Sequence, residues 1–164
     1  MVKENMSKVQ KLTVSAMVMA LYVVVLYLCR AFGAYQIRIA TALYALAYLF
    51  PFLVLPLGFA NFIANFLFGG LGLLDWFGGC FVGIIVTAII VLIRRKGWSR
   101  WLMILPIILV PGLGVPSYLS YLLHVPYSVL ATSLCIGQSV PAVCGVVLVN
   151  VLQRALYPKA TKAS

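Results

Sequence analysis

Residues 12–29 read LTVSAMVMALYVVVLYLC, eighteen residues without a charge directly behind a leader that carries Lys3, Lys8 and Lys11. A helix of about 20 apolar residues crosses the hydrocarbon core of a bilayer. The apolar region of a cleaved secretory signal is shorter, about 7–15 residues. This stretch also leads straight into further apolar sequence. It reads as a retained first membrane helix with its N-terminus inside.

The rest of the chain repeats the pattern. Of 164 residues, 65% are hydrophobic, against roughly 45–50% in soluble domains, and the mean hydropathy is +1.14. A single integral membrane domain spanning 1–164 is expected, with no soluble appendage large enough to fold alone. Glu4 and Asp75 are the only acids. Ten of the twelve Lys and Arg residues fall in three clusters: the leader, then Arg94, Arg95, Lys96 and Arg100, then Arg154, Lys159 and Lys162. Membrane proteins keep Lys and Arg on the cytoplasmic side, so the net charge of +10 is a topology signal. A nucleic-acid partner would need that charge gathered on one soluble face, and here apolar spans divide it.

The fold class expected is all-α integral membrane, with six transmembrane helices over about 12–30, 39–50, 52–68, 71–93, 101–123 and 127–155. Both termini are then cytoplasmic, and only Arg30 and Arg38 lie outside. An odd number of spans would strand one basic end on the wrong side. Pro51 and Pro56 punctuate the passage from the second span to the third, because proline removes a helix donor. Gly69-Gly70-Leu71-Gly72 reads as a turn. Pro106, Pro111 and Pro116 recur through the fifth span with Gly112 and Gly114 between them. Irregular backbone at membrane depth survives only inside protein or along a cavity, which makes this span either a cavity wall or a kinked packing helix.

Ala16-x-x-x-Ala20, Ala60-x-x-x-Ala64 and Gly79-x-x-x-Gly83 place small residues one helical turn apart, where helices approach closely in lipid. The first pair serves internal packing or the docking of a partner. Ionisable groups near the membrane interior are costly and so mark candidate sites. Arg30, Arg38 and Asp75 qualify, as an ion pair between Arg38 and Asp75 or as ligand contacts. Asn61, Asn65 and Gln138 bond between helices or face a pocket. Tyr35, Tyr44, Tyr48, Tyr118, Tyr121 and Tyr127 form an interfacial belt or stack on a ring, and His124 reads as an interfacial histidine. Cys29, Cys80, Cys135 and Cys144 form no C-x-x-C pair and meet no His at ligand spacing, so they read as small buried hydrophobes. No metal, cofactor or catalytic residue is expected: carboxylate pair, G-x-S-x-G turn and P-loop are all missing from the sequence. Nucleotide hydrolysis in any active transport would fall to another subunit.

Several stretches carry a resemblance: Gln36-Ile37-Arg38, Tyr48-Leu49-Phe50-Pro51, Ala64-Asn65-Phe66-Leu67, and above all Gly69-Gly70-Leu71-Gly72-Leu73-Leu74-Asp75. With these the chain resembles, over nearly its whole length, the substrate-binding S components of energy-coupling factor transporters, in particular the queuosine-precursor transporter family. The resemblance implies a six-helix protein that binds a micronutrient outside the cell and topples in the membrane, driven by one T subunit and two ATPase subunits. It also implies that Ala16 and Ala20 dock on the T subunit, and it puts substrate contacts at Tyr35, Arg38, Thr41, Asn65, Asp75 and Gln138. Two departures stand out. Family members usually carry a Glu where this chain has Thr41, and a Gly-Glu pair where it reads Gly137-Gln138. A carboxylate is the natural partner of a guanine-like N–H edge or an aminomethyl cation. Its loss at both positions leans the expectation toward a bulky, amide-rimmed corrinoid of the cobalamin type, with a queuosine precursor (a 7-deazaguanine) as the alternative. A small self-contained channel or exchanger, and a membrane protein without a ligand, are the other classes the sequence allows.

Overall fold

A computed structural model of the chain describes residues 6–31, 38–68 and 72–156, the side chains of 30 and 31 excepted. Tyr35, the Gln36-Ile37 motif, the Gly69-Gly70-Leu71 turn, the Arg30 side chain, and Lys3, Lys159 and Lys162 lie outside the described residues. Helix α1 runs Lys8–Ala31, α2 Val54–Phe68, α3 Leu73–Arg95, α4 Ile104–Leu123 and α5 Tyr127–Leu156, with no strand among the described residues. Together with the turns that lead into α2 and α4, these give five helices long and apolar enough to cross a membrane. In hydrocarbon a helix satisfies every backbone donor and acceptor within one segment, which is why apolar runs of this length become helices.

The second apolar run departs from expectation. It is not an ordinary α-helical span but a 3-10 helix, Ile39–Tyr48, with Ala40 to Ala47 all buried. Such runs rarely exceed 3–4 residues, and the rise of ~2.0 Å per residue stretches ten residues over about 20 Å. The physical reason lies in the small side chains. Ala40, Ala42, Ala45 and Ala47 let this narrow element thread between α1, α3 and α5. At Gly145 of α5 a β-carbon would sit 2.9 Å from the Ala42 carbonyl oxygen and 3.0 Å from the Ala45 Cβ. A short 3-10 turn, Pro51–Leu53, then delivers the chain into α2. Pro56 falls in the first turn of α2, where its missing N–H breaks no helical bond.

Contacts fix the direction of each element. Lys11 Nζ lies 6.0 Å over the Phe52 ring, and Tyr27 packs on Phe68 with centroids 5.4 Å apart, so α1 and α2 run parallel. The chain between them therefore returns along the bundle, and the 3-10 helix is the described part of that return. Its far end meets α3, where the Arg94 guanidinium donates to the Leu49 carbonyl at 3.0 Å, and Arg100 donates to Asn150 Oδ1 of α5 at 2.8 Å. One end of the bundle thus collects the basic residues at the start of α1, the end of α3, the start of α4 and the end of α5.

The small-residue pairs sort cleanly. Ala60 and Ala64 on α2 are fully buried. Gly79 and Gly83 on α3 face α2, where a β-carbon on Gly83 would come within 3.1 Å of the Gly58 Cα and one on Gly79 would strike the Asn65 amide. Ala16 and Ala20, by contrast, are exposed on the outer face of α1. The cysteines are less buried than expected: Cys29, Cys80 and Cys135 are intermediate and Cys144 is exposed on α5.

Candidate binding site

Where the 3-10 helix crosses α5, two side chains 97 positions apart meet: Thr41 Oγ1 lies 2.7 Å from Gln138 Oε1. Thr41 Oγ1 is also 2.7 Å from the Arg38 carbonyl oxygen. A hydroxyl has one proton, so it can donate to only one of the two oxygens. Turning the Gln138 amide so that its NH2 donates to Thr41, while Thr41 donates to the Arg38 carbonyl, satisfies every group. The assignment of amide O and N is set by such networks.

These residues border a cavity of about 10 Å³ lined by Arg38, Thr41, Tyr44, Asn61, Val82, Pro111, Val115, Leu134 and Gln138. At that size it is at the threshold for a single water molecule. Each wall comes from a different element: the 3-10 helix, α2, α3, α4 and α5. Pro111 and Val115 make α4 a cavity wall, one of the two readings its prolines allowed.

Asn61 enters from α2. Its Nδ2 donates to the Gly79 carbonyl at 2.7 Å, while Oδ1, on a side chain only 2% exposed, has no partner. A buried acceptor left unpaired costs about 1–3 kcal/mol, so this oxygen is poised for a donor. Tyr44 supplies an aromatic side. Its ring stacks on that of Tyr22 of α1, with centroids 5.6 Å apart and planes at 16°, and the two hydroxyls are 3.0 Å apart.

Next to the cavity, where α2 ends and α3 begins, stands a second polar cluster. Asn65 Nδ2 donates to the backbone carbonyl of Asp75 at 2.9 Å. The buried Asp75 side chain hydrogen-bonds Tyr118 of α4. Asp75 occupies the first turn of α3, where the helix dipole favours an acid. Gly78 clears room for the Tyr118 ring, since a β-carbon there would be 2.7 Å from it.

Of the residues expected to touch substrate, then, Arg38, Thr41 and Gln138 converge on the cavity. Asn65 and Asp75 form the adjoining cluster with Tyr118, and Tyr35 lies outside the described residues. Asn61 and Tyr44 also belong to the lining; the sequence left Asn61 open between an interhelical bond and a pocket, and Tyr44 between an interfacial belt and ring stacking, without naming either as a substrate contact. The signal for Asn61 was present, as it precedes Asn65 by one helical turn and shares its face.

A family model described as QueT transporter matches residues 12–154. Comparison with curated proteins and with solved structures yields no match.

Proposed function

The chain belongs to the QueT transporter family, and from that premise we propose that it is the substrate-binding S component of an energy-coupling factor importer for a queuosine precursor, a 7-deazaguanine base. It is a multi-pass membrane protein of a transporter family. The finer reading rests above all on the cavity, in which four polar side chains, Arg38, Thr41, Asn61 and Gln138, are enclosed by apolar helices. A guanine-like base offers N–H donors and a carbonyl acceptor on one edge. The unpartnered Asn61 Oδ1 and the Gln138 amide accept from such donors, Arg38 donates to the carbonyl, and the Tyr44 ring offers a flat face.

Cavity size favours the smaller of the two substrates weighed from sequence, although neither enters the space as it stands. A bicyclic base requires side chains to shift from a space of about 10 Å³. A corrinoid, many times larger, would require five elements to separate. The deazaguanine is the substrate we retain. Binding at the outer side precedes docking on a T subunit through Ala16 and Ala20, which are exposed on α1, and two partner ATPase subunits drive release to the cytoplasm.

Uptake of radiolabelled deazaguanine into cells lacking their own route tests this. Saturable uptake is expected only when the T and ATPase subunits are present, with binding retained by the isolated chain. Transport by the chain alone without ATP would point instead to a self-contained exchanger. Co-purification of a red corrinoid would restore the other substrate.

A further inference from the structure

At the basic end of the bundle a second cavity, of about 400 Å³ and open to the surface, shares no lining residue with the central one. Among the described residues its wall is the connection from Gly97 to Trp101, with Tyr48 at the end of the 3-10 helix and Asn150 of α5. The connection starts in a tight turn. Gly97 takes a φ of 68°, which suits glycine, and the amides of Lys96, Gly97 and Trp98 donate to the carbonyls of Leu92, Arg94 and Ile93 that end α3. With those carbonyls satisfied by backbone, the basic side chains of the turn are left to other partners. Arg94 is held by the Leu49 carbonyl. Arg95 and Lys96 are exposed, with the Lys96 ammonium 4.8 Å over the Trp98 ring. Arg100 is fixed on the cavity wall by Asn150, whose Oδ1 accepts from the guanidinium at 2.8 Å. That neutral amide orients the charge without balancing it. The only acid among the described residues, Asp75, stands in the first turn of α3, at the opposite end of that helix.

We propose that this cavity binds the headgroup of an acidic glycerophospholipid, with Arg100 and Lys96 holding its phosphate diester. Cations gathered where membrane helices end attract anionic headgroups, and a guanidinium matches the geometry of a phosphate. Trp98 and Trp101, which flank Arg100 in sequence, are both exposed. Indoles settle at the headgroup level, where one edge is wet and the other apolar. On the helices that meet there, Leu92, Leu105 and Val151 are exposed within a few residues of the lining. They offer acyl chains an apolar surface that a soluble phosphate would not use. A zwitterionic phospholipid carries the same phosphate but brings a further cation to Lys96 and Arg100, so net charge is what the site selects. An acidic segment of a partner protein is the competing occupant, and it has no need of exposed indoles beside lipid-facing leucines. Helix α1, which carries Ala16 and Ala20, contributes nothing to the lining.

Native mass spectrometry of the full-length protein in detergent, titrated with dioleoyl phosphatidylglycerol, dioleoyl phosphatidylcholine or inorganic phosphate, tests the site. The first phosphatidylglycerol adduct should bind at least about fivefold more tightly than the first phosphatidylcholine adduct, the contribution of one basic residue near an anionic headgroup. Arg100→Gln should lose that preference. Lys96→Gln, a change at an exposed side chain, should weaken it, so the site is read even where Arg100→Gln does not fold. Equal affinities of the wild-type protein for the two lipids overturn the proposal, a comparison that no variant enters. A preference left intact in both folded variants places the lipid elsewhere and overturns this site. Inorganic phosphate that displaces phosphatidylglycerol at comparable concentration makes the occupant a soluble phosphate and overturns the lipid. Equal lipid affinities, together with a partner subunit that the folded Arg100→Gln protein no longer retains, assign the surface to an acidic protein segment instead.

Discussion

Thr41 was singled out by resemblance alone and Gln138 both by resemblance and as a polar residue within an apolar span, and the two lie in contact across 97 residues of sequence. What the sequence could not convey was depth along each helix. Asn65 donates to the Asp75 backbone carbonyl and the Asp75 side chain bonds Tyr118, whereas Asn61, one turn from Asn65, keeps an unpaired oxygen at the cavity. Nor did the tyrosines betray their role. Tyr22 is not among the belt candidates, yet it is fully buried and clasps Tyr44 through ring and hydroxyl. Tyr44→Phe leaves the Tyr22 hydroxyl buried without this partner, which costs about 1–3 kcal/mol. Removing both hydroxyls in Tyr22→Phe/Tyr44→Phe leaves nothing unpaired and should be closer to neutral. Denaturant unfolding in detergent should therefore rank wild type and the double variant above Tyr44→Phe. A double variant less stable than the single one would show that the hydroxyl pair is not an isolated unit.

Helix α1 joins two surfaces that the sequence left undecided. Its inner side presents Tyr22 to the wall of the cavity, and its outer side exposes Ala16 and Ala20 among Leu12, Met17, Leu21 and Val24. Periodicity identified the small pair but not the face on which it sits, because a run apolar all round has no hydrophilic side to orient it. The 3-10 helix escaped for a related reason. Its Ala-rich sequence fits an α-helix by propensity, and only the crowding of α1, α3 and α5 around it selects the narrower form. Since Ala16 and Ala20 touch no core, replacing either with Leu should leave ligand affinity and thermal stability near wild type while abolishing uptake by the full assembly. Calorimetry paired with uptake reads both effects. A parallel loss of binding and uptake would mean that the change is transmitted through Tyr22, and that docking and the cavity are not separable at this helix.

On the scale of the whole chain the apolar runs and charge clusters located every long helix, with boundaries within a few residues except at the start of α1. The number of crossings is a sharper question, because the 3-10 helix is too short to span a bilayer of ~30 Å alone. Parallel packing bears on it: α1 and α2 pair start to start and end to end, through Lys11 with Phe52 and Tyr27 with Phe68. Two consecutive parallel helices require the chain between them to come back, and the 3-10 helix is the described part of that return. Lys8, Lys11, Arg94, Arg95, Lys96, Arg100 and Arg154 then share one end, and Tyr121 and His124 stand at the other. By the positive-inside rule the basic end is expected to face the cytoplasm, which labelling tests. In a version of the protein with its four cysteines replaced, Tyr121→Cys should react with a membrane-impermeant maleimide in intact cells. Arg95→Cys should react only after permeabilisation. Labelling of Arg95→Cys from the medium would invert the molecule and place the cavity's Arg38 end toward the cytoplasm. Labelling of both from the medium would require an even number of crossings between them, and α4, 20 residues of unbroken helix, would no longer count as one.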